Sequence, residues 1–368
     1  MPKTLPRLKQ ITETTEFARD RCHDKKYPTK RRKKKMRRTI LYASAAILIL
    51  TMVASPVLAG SWTTGAPIPT AEEGYGAATL NGFNYYFGGF PSSPSIGLNQ
   101  IYNIGTDTWA LGAPMPIPNA ELAAVADGST NCHLVSNPAL PGPCLYAVSG
   151  RDTPGPLLQY DPGLDAWTVL APLPVAVGTE HGVVYHGGKI YVAGGRFAGA
   201  PCGGSEVSNL QIYDIASGAW GMGAPLPMPL SDSAAVSVGN NIYVFGGCSS
   251  GAPQSTTLIY NIHTNTWSSG APLPEAGVID PSAGRCGNKI HLIGGAFSIG
   301  VFTDNHFEYN PVANTWSSST SIPGGLIGSG TETQAVSTAG KIFIVGGGIF
   351  GSGASNPVLN IWICAPPS

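Results

Sequence analysis

The segment IYVFGG at residues 242–247 is followed by NTWSSGAPLP at residues 265–274, and this pair of motifs recurs along the chain. The first motif is a short apolar run that ends in paired glycines. The second is a tryptophan that leads into a proline-rich turn. Between them lies another apolar run with a tyrosine, here Tyr260. Short apolar runs bounded by Gly and Pro are typical of strands joined by tight turns.

Both motifs occur six times in the same order. The glycine motif reads NYYFGG (84–89), LYAVSG (145–150), IYVAGG (190–195), IYVFGG (242–247), IHLIGG (290–295) and IFIVGG (342–347). The tryptophans are Trp62, Trp109, Trp167, Trp220, Trp267 and Trp316, and the tyrosines between the motifs are Tyr102, Tyr160, Tyr213, Tyr260 and Tyr309. Self-similarity at a regular spacing is the signature of a repeat architecture.

A period near 50 residues with paired glycines, then tyrosine, then tryptophan resembles the kelch repeat over all of residues 60–368. The resemblance implies an all-β fold: a six-bladed β-propeller of the bacterial exported type, with four-stranded antiparallel blades around a channel. The propellers of galactose oxidase and sialic acid epimerases are distantly similar. The apolar second strands independently predict sheets that are covered on both faces. We therefore assign the repeated Gly, Tyr and Trp to packing.

The two ends of the repeat region are complementary. Trp62 precedes the first glycine motif, so its strand has no blade of its own. The last repeat ends with LNIW (359–362), which aligns with the third-strand segment LQIY (210–213) and is followed by no outer strand. We predict that residues 61–66 complete the last blade beside residues 358–363, which removes open sheet edges.

Charge divides the chain into unlike parts. Residues 1–38 hold 15 Lys or Arg against 4 Asp or Glu, whereas residues 60–368 hold 6 against 17, a net of −11. With 48 Gly, 32 Pro and only 11% charged residues, a helical bundle is disfavoured. An acidic propeller is also a poor nucleic-acid binder, because phosphates require a basic surface. We expect no nucleic-acid partner and a monomer.

The N-terminal region predicts export. Residues 1–38 form a basic tail, and residues 39–59 contain an apolar run that ends at Ala59 in small residues typical of a signal-peptidase site. The segment is read as a cleaved signal peptide or, alternatively, an uncleaved membrane anchor. Translation starting at Met36 would make residues 1–35 a gene-model extension. Either reading places residues 60–368 outside the cytoplasm, as a secreted, periplasmic or cell-surface protein.

Six cysteines in the predicted exported part suggest disulfides. Cys132 and Cys144 bracket an insertion between the first two strands of the second repeat, and we predict a disulfide between them. Cys202 and Cys248 both follow a glycine motif in adjacent repeats, which favours a bridge between blades. Cys286 and Cys364 remain by elimination.

Candidate ligand-binding residues lie in the loops that form the usual binding face of the propeller family. Acidic residues precede the first strand of five repeats: Glu121, Glu180, Asp232, Asp280 and Glu332, a set that we call the acidic collar. Phe90, Arg151 and Arg196 follow the glycine motifs on the same face, and His181 is beside Glu180. In the alternative interpretation these residues have a structural role. Each carboxylate caps its own loop, the arginines pair with carboxylates, and His181 is hydrogen-bonded within its loop.

The sequence favours a recognition module that binds a glycan or protein partner, and it assigns no catalytic residue. A sugar-active enzyme, such as a periplasmic sialic acid epimerase or mutarotase, is the alternative, with Glu180, His181 and Arg196 as acid–base candidates. A structural cell-surface protein is the second alternative. Copper chemistry of the galactose oxidase kind is disfavoured by scattered histidines. We lean against an enzyme.

The collar carries one further prediction. Like charges held together around a channel raise one another's pKa unless a cation or donor intervenes. We expect no resident cofactor. Alternatively, the collar binds Ca²⁺, which favours carboxylate oxygens, or it accepts hydrogen bonds from the hydroxyl groups of a sugar.

Overall fold

The structure is a computed structural model. It describes residues 60–71, 73–90, 94–128, 142–178, 182–197, 202–298, 301–323, 334–338, 340–345 and 358–364. All of these residues belong to the second of two compact units of the chain, Ser55–Ser368. Within these ranges, no helix has the length and apolar character that crossing a membrane requires.

Six four-stranded antiparallel sheets form the blades of a propeller, numbered here in chain order and read from the channel outward. Blade 1 contains β2 (Gly76–Leu80), β3 (Phe83–Phe87), β4 (Asn99–Asn103) and β5 (Thr108–Leu111). Blade 2 contains β6 (Ala123–Asp127), β7 (Cys144–Val148), β8 (Leu157–Asp161) and β9 (Ala166–Val169). Blade 3 contains β10 (Gly182–His186), β11 (Lys189–Ala193), β12 (Leu210–Asp214) and β13 (Ala219–Met222).

Blades 4 and 5 carry additional short strands. Blade 4 contains β14 (Ser231–Val238), β15 (Asn241–Ser249), β17 (Thr257–Asn261) and β18 (Thr266–Ser269), and β16 (Ala252–Pro253) pairs with β15. Blade 5 contains β19 (Ser282–Cys286), β20 (Lys289–Ile293), β23 (His306–Asn310) and β24 (Thr315–Ser318), beside a separate hairpin of β21 (Ala296–Ser298) and β22 (Val301–Phe302). The six-bladed propeller predicted from the repeats is confirmed.

Blade 6 is assembled from both ends of the repeat region. It contains β25 (Val336–Thr338), β26 (Lys341–Val345), β27 (Leu359–Ile363) and, as its outer strand, β1 (Ser61–Gly65). Strands β1 and β27 are antiparallel, with Trp62 opposite Trp362. The predicted closure is therefore confirmed, and it leaves the last blade with the same four strands as the others.

In blades 1, 2, 4 and 5, the repeated Tyr and Trp residues belong to the same set of hydrogen bonds, which join the blade to the preceding one. In blade 4, Asn265 Oδ1 accepts from the Tyr260 hydroxyl at 2.8 Å and from the Ala224 amide of blade 3 at 2.7 Å. The Trp267 indole donates to the Ala224 carbonyl at 2.8 Å. Equivalent bonds surround three further residues: Asp107, Asp165 and Asn314. The packing role predicted for these aromatic residues is thus a specific contact between blades.

Two of the predicted disulfides are present. Cys202 and Cys248 are bridged with their Cα atoms 5.3 Å apart, and Cys286 and Cys364 are bridged with a Cα separation of 5.5 Å. The first bridge links the loop after β11 to blade 4, and the second links the inner strand of blade 5 to the residue after β27. Cys248 lies within β15 rather than in the predicted loop, because that strand extends to Ser249. Cys144 is disulfide-bonded, whereas Cys132 lies outside the described residues.

Candidate binding face at the channel mouth

Equivalent segments at the start of the inner strands bring three collar residues, Glu121, Asp232 and Asp280, to one end of the channel, which we call the mouth. Asp232 lies within β14 rather than in the predicted loop, because that strand begins at Ser231. Glu121, Asp232 and Asp280 have φ angles of 53°, 55° and 50°, and Gly74 of blade 1 has 65°. Non-glycine residues rarely adopt this left-handed conformation, although Asp tolerates it better than most. The shared backbone geometry shows that Glu121 occupies the same repeat position as the two aspartates.

The collar backbone links neighbouring blades. The Glu121 amide donates to the Gly74 carbonyl at 2.6 Å, and the Asp280 amide donates to the Asp232 carbonyl at 2.8 Å. The three described collar side chains are buried and line one cavity of about 120 Å³. Glu180, His181 and Glu332 lie outside the described residues, so their predicted place at the mouth stays a prediction.

Arg196 lies between collar carboxylates of two other blades. Its side chain is 2% exposed, with Nη1 3.2 Å from Asp232 Oδ1 and Nη2 3.7 Å from Glu121 Oε2. The Ser231 hydroxyl donates to the other Asp232 oxygen. Buried charges require such pairing, because desolvation without a partner costs several kcal/mol or more. One arginine therefore offsets part of the collar charge and connects blades 2, 3 and 4.

Arg151 occupies the same repeat position as Arg196 but reaches solvent. Its Nη1 is 2.6 Å from Glu121 Oε1, its Nε is 3.4 Å from Asp152 Oδ1, and its side chain is 40% exposed. The guanidinium carbon is 4.4 Å from the centre of the Phe90 ring, which is cation–π geometry. Burial raises the pKa of Glu121 above its usual value, although the charges of Arg151 and Arg196 act in the opposite direction. Two of the predicted residues, the half-buried Phe90 and the exposed Arg151, thus form one stacked pair, and Glu121 anchors Arg151.

Two residues at this face were not selected from the sequence. Phe197, directly after Arg196, is 52% exposed. Gln334 stands where the other repeats have Gly76, Ala123, Gly182, Ala234 and Ser282, so a long side chain replaces a small one at a channel-lining position. From the sequence, Gln334 could have been selected because it departs from the repeat. Phe197 could have been selected because it is an aromatic residue in a loop of small residues.

Gln334 crosses the channel below the mouth. Its Oε1 accepts from the Ala77 amide at 2.8 Å and the Ala124 amide at 2.9 Å, and its Nε2 donates to the Ala124 carbonyl at 2.7 Å. The side chain therefore bonds to backbone groups on the free edges of β2 and β6, which are the innermost strands of their blades. Gln334 lines both the mouth cavity and a second cavity of about 460 Å³ in the rest of the channel.

Within the ranges that the structure describes, no group of three or more His, Cys, Asp or Glu is placed to hold a metal ion. Glu121 instead faces Arg151 and Arg196, and Asp232 faces Arg196 and the Ser231 hydroxyl. Nothing in these ranges therefore supports the Ca²⁺ alternative.

Comparisons with known proteins agree with the propeller fold. The sequence profile described as the KLHDC2/KLHL20/DRC7 Kelch-repeats domain matches residues 166–348. The chain is a kelch-repeat β-propeller. Kelch-like protein 25 of Xenopus tropicalis is 27% identical over 276 residues, which cover 71% of this chain and 43% of that protein. Kelch-like protein 23 of Homo sapiens is 27% identical over 276 residues, covering 73% and 45% respectively.

The solved structure titled "Structure of YjhT" superposes on this kelch propeller with a TM-score of 0.65 and 16% identity, covering 79% of this chain and 95% of that chain. At that identity the likeness shows the fold alone. The chain spans less than half the length of the two curated relatives described above, at 43% and 45%. Kelch propellers are typically protein-interaction modules.

Proposed function

We propose that this kelch propeller is a recognition module that binds a protein partner at the mouth face, defined by Phe90, Arg151 and Phe197. The observation that carries the proposal is the stacked Arg151–Phe90 pair, and the equivalent loop of the next blade carries Phe197, an exposed aromatic side chain. Arginine and large aromatic side chains dominate the binding energy of protein interfaces.

The geometry favours binding with little ordering cost. Glu121 and the Phe90 ring already hold the Arg151 guanidinium, so a partner does not have to immobilise a free arginine side chain. Asp152 is 3.4 Å from Arg151 Nε and has a side chain 44% exposed, so it is the group that a partner carboxylate would replace. The expected partner segment therefore presents a carboxylate next to an apolar side chain that covers Phe197.

A glycan is the second candidate, and the mouth cavity is the observation that favours it. Three buried carboxylates line that cavity and supply hydrogen-bond acceptors for hydroxyl groups. A sugar-active enzyme gains no support from the described residues, because Glu180 and His181 lie outside them. The structural cell-surface role likewise stays a prediction.

We also propose that the propeller is exported, secreted or held at the cell surface by residues 39–59. The two disulfides support this proposal, because such bonds persist in oxidising compartments. Sequencing the N-terminus of the protein recovered outside the cytoplasm tests it. A mature chain beginning at Gly60 supports cleavage, and protein retained with reduced cysteines in the cytoplasm overturns export.

Peptide and glycan libraries test the recognition function directly. The full chain is screened against a random-peptide phage library and a glycan array, and each hit is measured again with Arg151→Gln and Phe197→Ser. Met222→Ser is the matched control, because Met222 is also 52% exposed but lies on the outer strand β13. We expect peptide hits whose affinity falls tenfold or more with the two mouth variants alone. The proposed face would be contradicted by hits whose affinity is unchanged in both mouth variants, or whose affinity falls equally with the control Met222→Ser.

A further inference from the structure

Two buried histidines lie at the interface where the propeller closes. His291 of β20 and His306 of β23 are 2% and 1% exposed, and His291 Nδ1 is 2.8 Å from His306 Nε2. In the second strand of the other blades the equivalent of His291 is Tyr85, Tyr146, Tyr191, Tyr243 or Phe343. Blade 5 thus has an imidazole, whose ordinary pKa lies near neutral pH, where the other blades have a Tyr or Phe ring.

The pair packs against blade 6, whose outer strand comes from the start of the repeat region. The His306 ring is 4.5 Å from the Trp362 ring and 5.6 Å from the Trp62 ring, measured between centroids. The Thr320 carbonyl accepts from His306 Nδ1 at 3.0 Å and from the Trp62 indole at 2.9 Å. One acceptor therefore connects the histidine pair to the closing strand.

The hydrogen bonds and the burial of the pair together define its protonation state. Thr320 contributes a carbonyl oxygen, which can only accept, so His306 carries its proton on Nδ1. Its bare Nε2 then accepts from His291 Nδ1–H. Because burial lowers the pKa of His291, that ring carries no second proton, and its bare Nε2 lies 3.6 Å from Glu308 Oε2. Both imidazoles are neutral in this arrangement. Protonating both would direct two N–H groups at each other across 2.8 Å.

The surrounding charges do not favour an imidazolium. Glu308 is the one acidic group facing the pair among the described residues, and Lys289 Nζ already lies 2.6 Å from its Oε1. Arg285 on β19 and Lys341 on β26 add positive charge on strands adjacent to the interface, and β1, β25 and β27 contain no charged residue.

We propose that the interface between blades 5 and 6 is a pH-sensitive joint, which acid loosens by protonating His291 and His306 beneath Trp62 and Trp362. Opening exposes the imidazoles and frees β1, while the Cys286–Cys364 bridge keeps the end of β27 attached to blade 5. The joint would therefore release one strand without separating the whole blade.

The direction of the pH effect follows from linkage. Burial lowers the pKa of His291 to about 3, with the charges of His306 and Lys289 adding to it, and burial lowers the pKa of His306 to about 4. Because an exposed imidazole titrates near 6.5, the closed state is favoured above that pH and loses stability as the pH falls toward 4. Between pH 7 and pH 5 the opening equilibrium should rise by roughly tenfold or more.

Hydrogen exchange on the full chain, corrected for intrinsic rates at each pH, tests the joint. We expect the protection of Ser61–Gly65 to fall by roughly tenfold or more from pH 7 to pH 5, while the outer strand Thr266–Ser269 of blade 4 changes little. His291→Phe/His306→Leu installs the pair that blade 6 has at the same positions, Phe343 and Leu359, and should abolish the fall. His263→Gln, in an exposed turn, should behave as the wild type.

A second variant keeps the test decisive if the double change does not fold. His306→Asn introduces the residue that blade 1 has at that position, Asn99, and should reduce the pH effect. The proposal is overturned if Ser61–Gly65 and Thr266–Ser269 lose protection together in the wild type, or if the folded variants retain the full pH response.

Discussion

Trp62 and Trp362, separated by almost the entire repeat region, lie directly opposite each other in blade 6, with their ring centroids 5.2 Å apart. The Trp62 indole also donates to the Thr320 carbonyl of blade 5 at 2.9 Å. Strand β1 therefore contributes both the last sheet edge and a contact to the neighbouring blade. Strand β1 thus closes the ring of six blades.

Deleting residues 60–68 should lower the Tm sharply. The change unpairs the outer edge of β27 and removes the buried Ile68, so we expect a fall of about 10 °C or more. Calorimetry of the truncated chain measures it. Deleting residues 1–35 is the control, since those residues precede the repeats in the sequence, and equal Tm values for the two deletions would contradict closure by β1.

Arg196→Gln should destabilise the propeller far more than Arg151→Gln, although the two arginines share a repeat position. Removing the buried Arg196 leaves the buried Asp232 without its ion-pair partner, at a cost of about 3–5 kcal/mol. Arg151 is 40% exposed, so the loss of its ion pair costs about 0–1 kcal/mol. Denaturant unfolding of both variants measures the two losses in the free energy of unfolding. Similar losses would show that the burial of Arg196 does not make it more important for stability than Arg151.

Asn265→Ala should cost about 2–3 kcal/mol. The change removes the acceptor of the Tyr260 hydroxyl and the Ala224 amide, and it places alanine at a φ of 55°. Asn265→Asp is the matched control, because blades 1 and 2 use Asp107 and Asp165 for the same bonds, and it should cost less than about 1 kcal/mol. Equal losses of stability in the two variants would show that the hydrogen bonds accepted by the side chain of residue 265 do not join the blades.

The pKa of Asp214 should respond to Lys189. A hydrogen bond from Lys189 Nζ at 2.7 Å, followed by donors at Ser217, lowers the pKa of Asp214 to about 2. Lys189→Gln should return it toward 3.8, as followed by carboxyl NMR titration. Because the folded pKa is depressed, the stability from this pair is present above the unfolded pKa and is lost as the pH falls toward 2. The effect on stability should stay below about 1 kcal/mol, since the pair is partly exposed.

Lys289→Gln is the control for that titration. Lys289 pairs with Glu308 in another blade, so its loss should leave the Asp214 titration unchanged. A matching shift in both variants would mean that general charge, rather than the local hydrogen bond, determines the Asp214 pKa.

Much of the fold was predictable because each blade repeats the same local chemistry. Paired glycines, tyrosines and tryptophans recur at matching positions, so the six blades, the closure by residues 61–66 and two disulfides followed from the sequence. The correspondence of Glu121 with Asp232 and Asp280 was also readable, and the shared left-handed backbone agrees with it. Their role in binding a ligand stays a prediction.

The properties that differ between equivalent positions were decided by tertiary structure. Arg151 and Arg196 have the same place in the repeat, yet one stacks on Phe90 in solvent and the other is buried between carboxylates of two blades. Likewise, Gln334 reaches across the channel, and His291 and His306 meet beneath the closing strand. Repeats specify each blade through contacts that are close in sequence. Burial and charge pairing depend on which blades adjoin, and that is determined only when the ring closes.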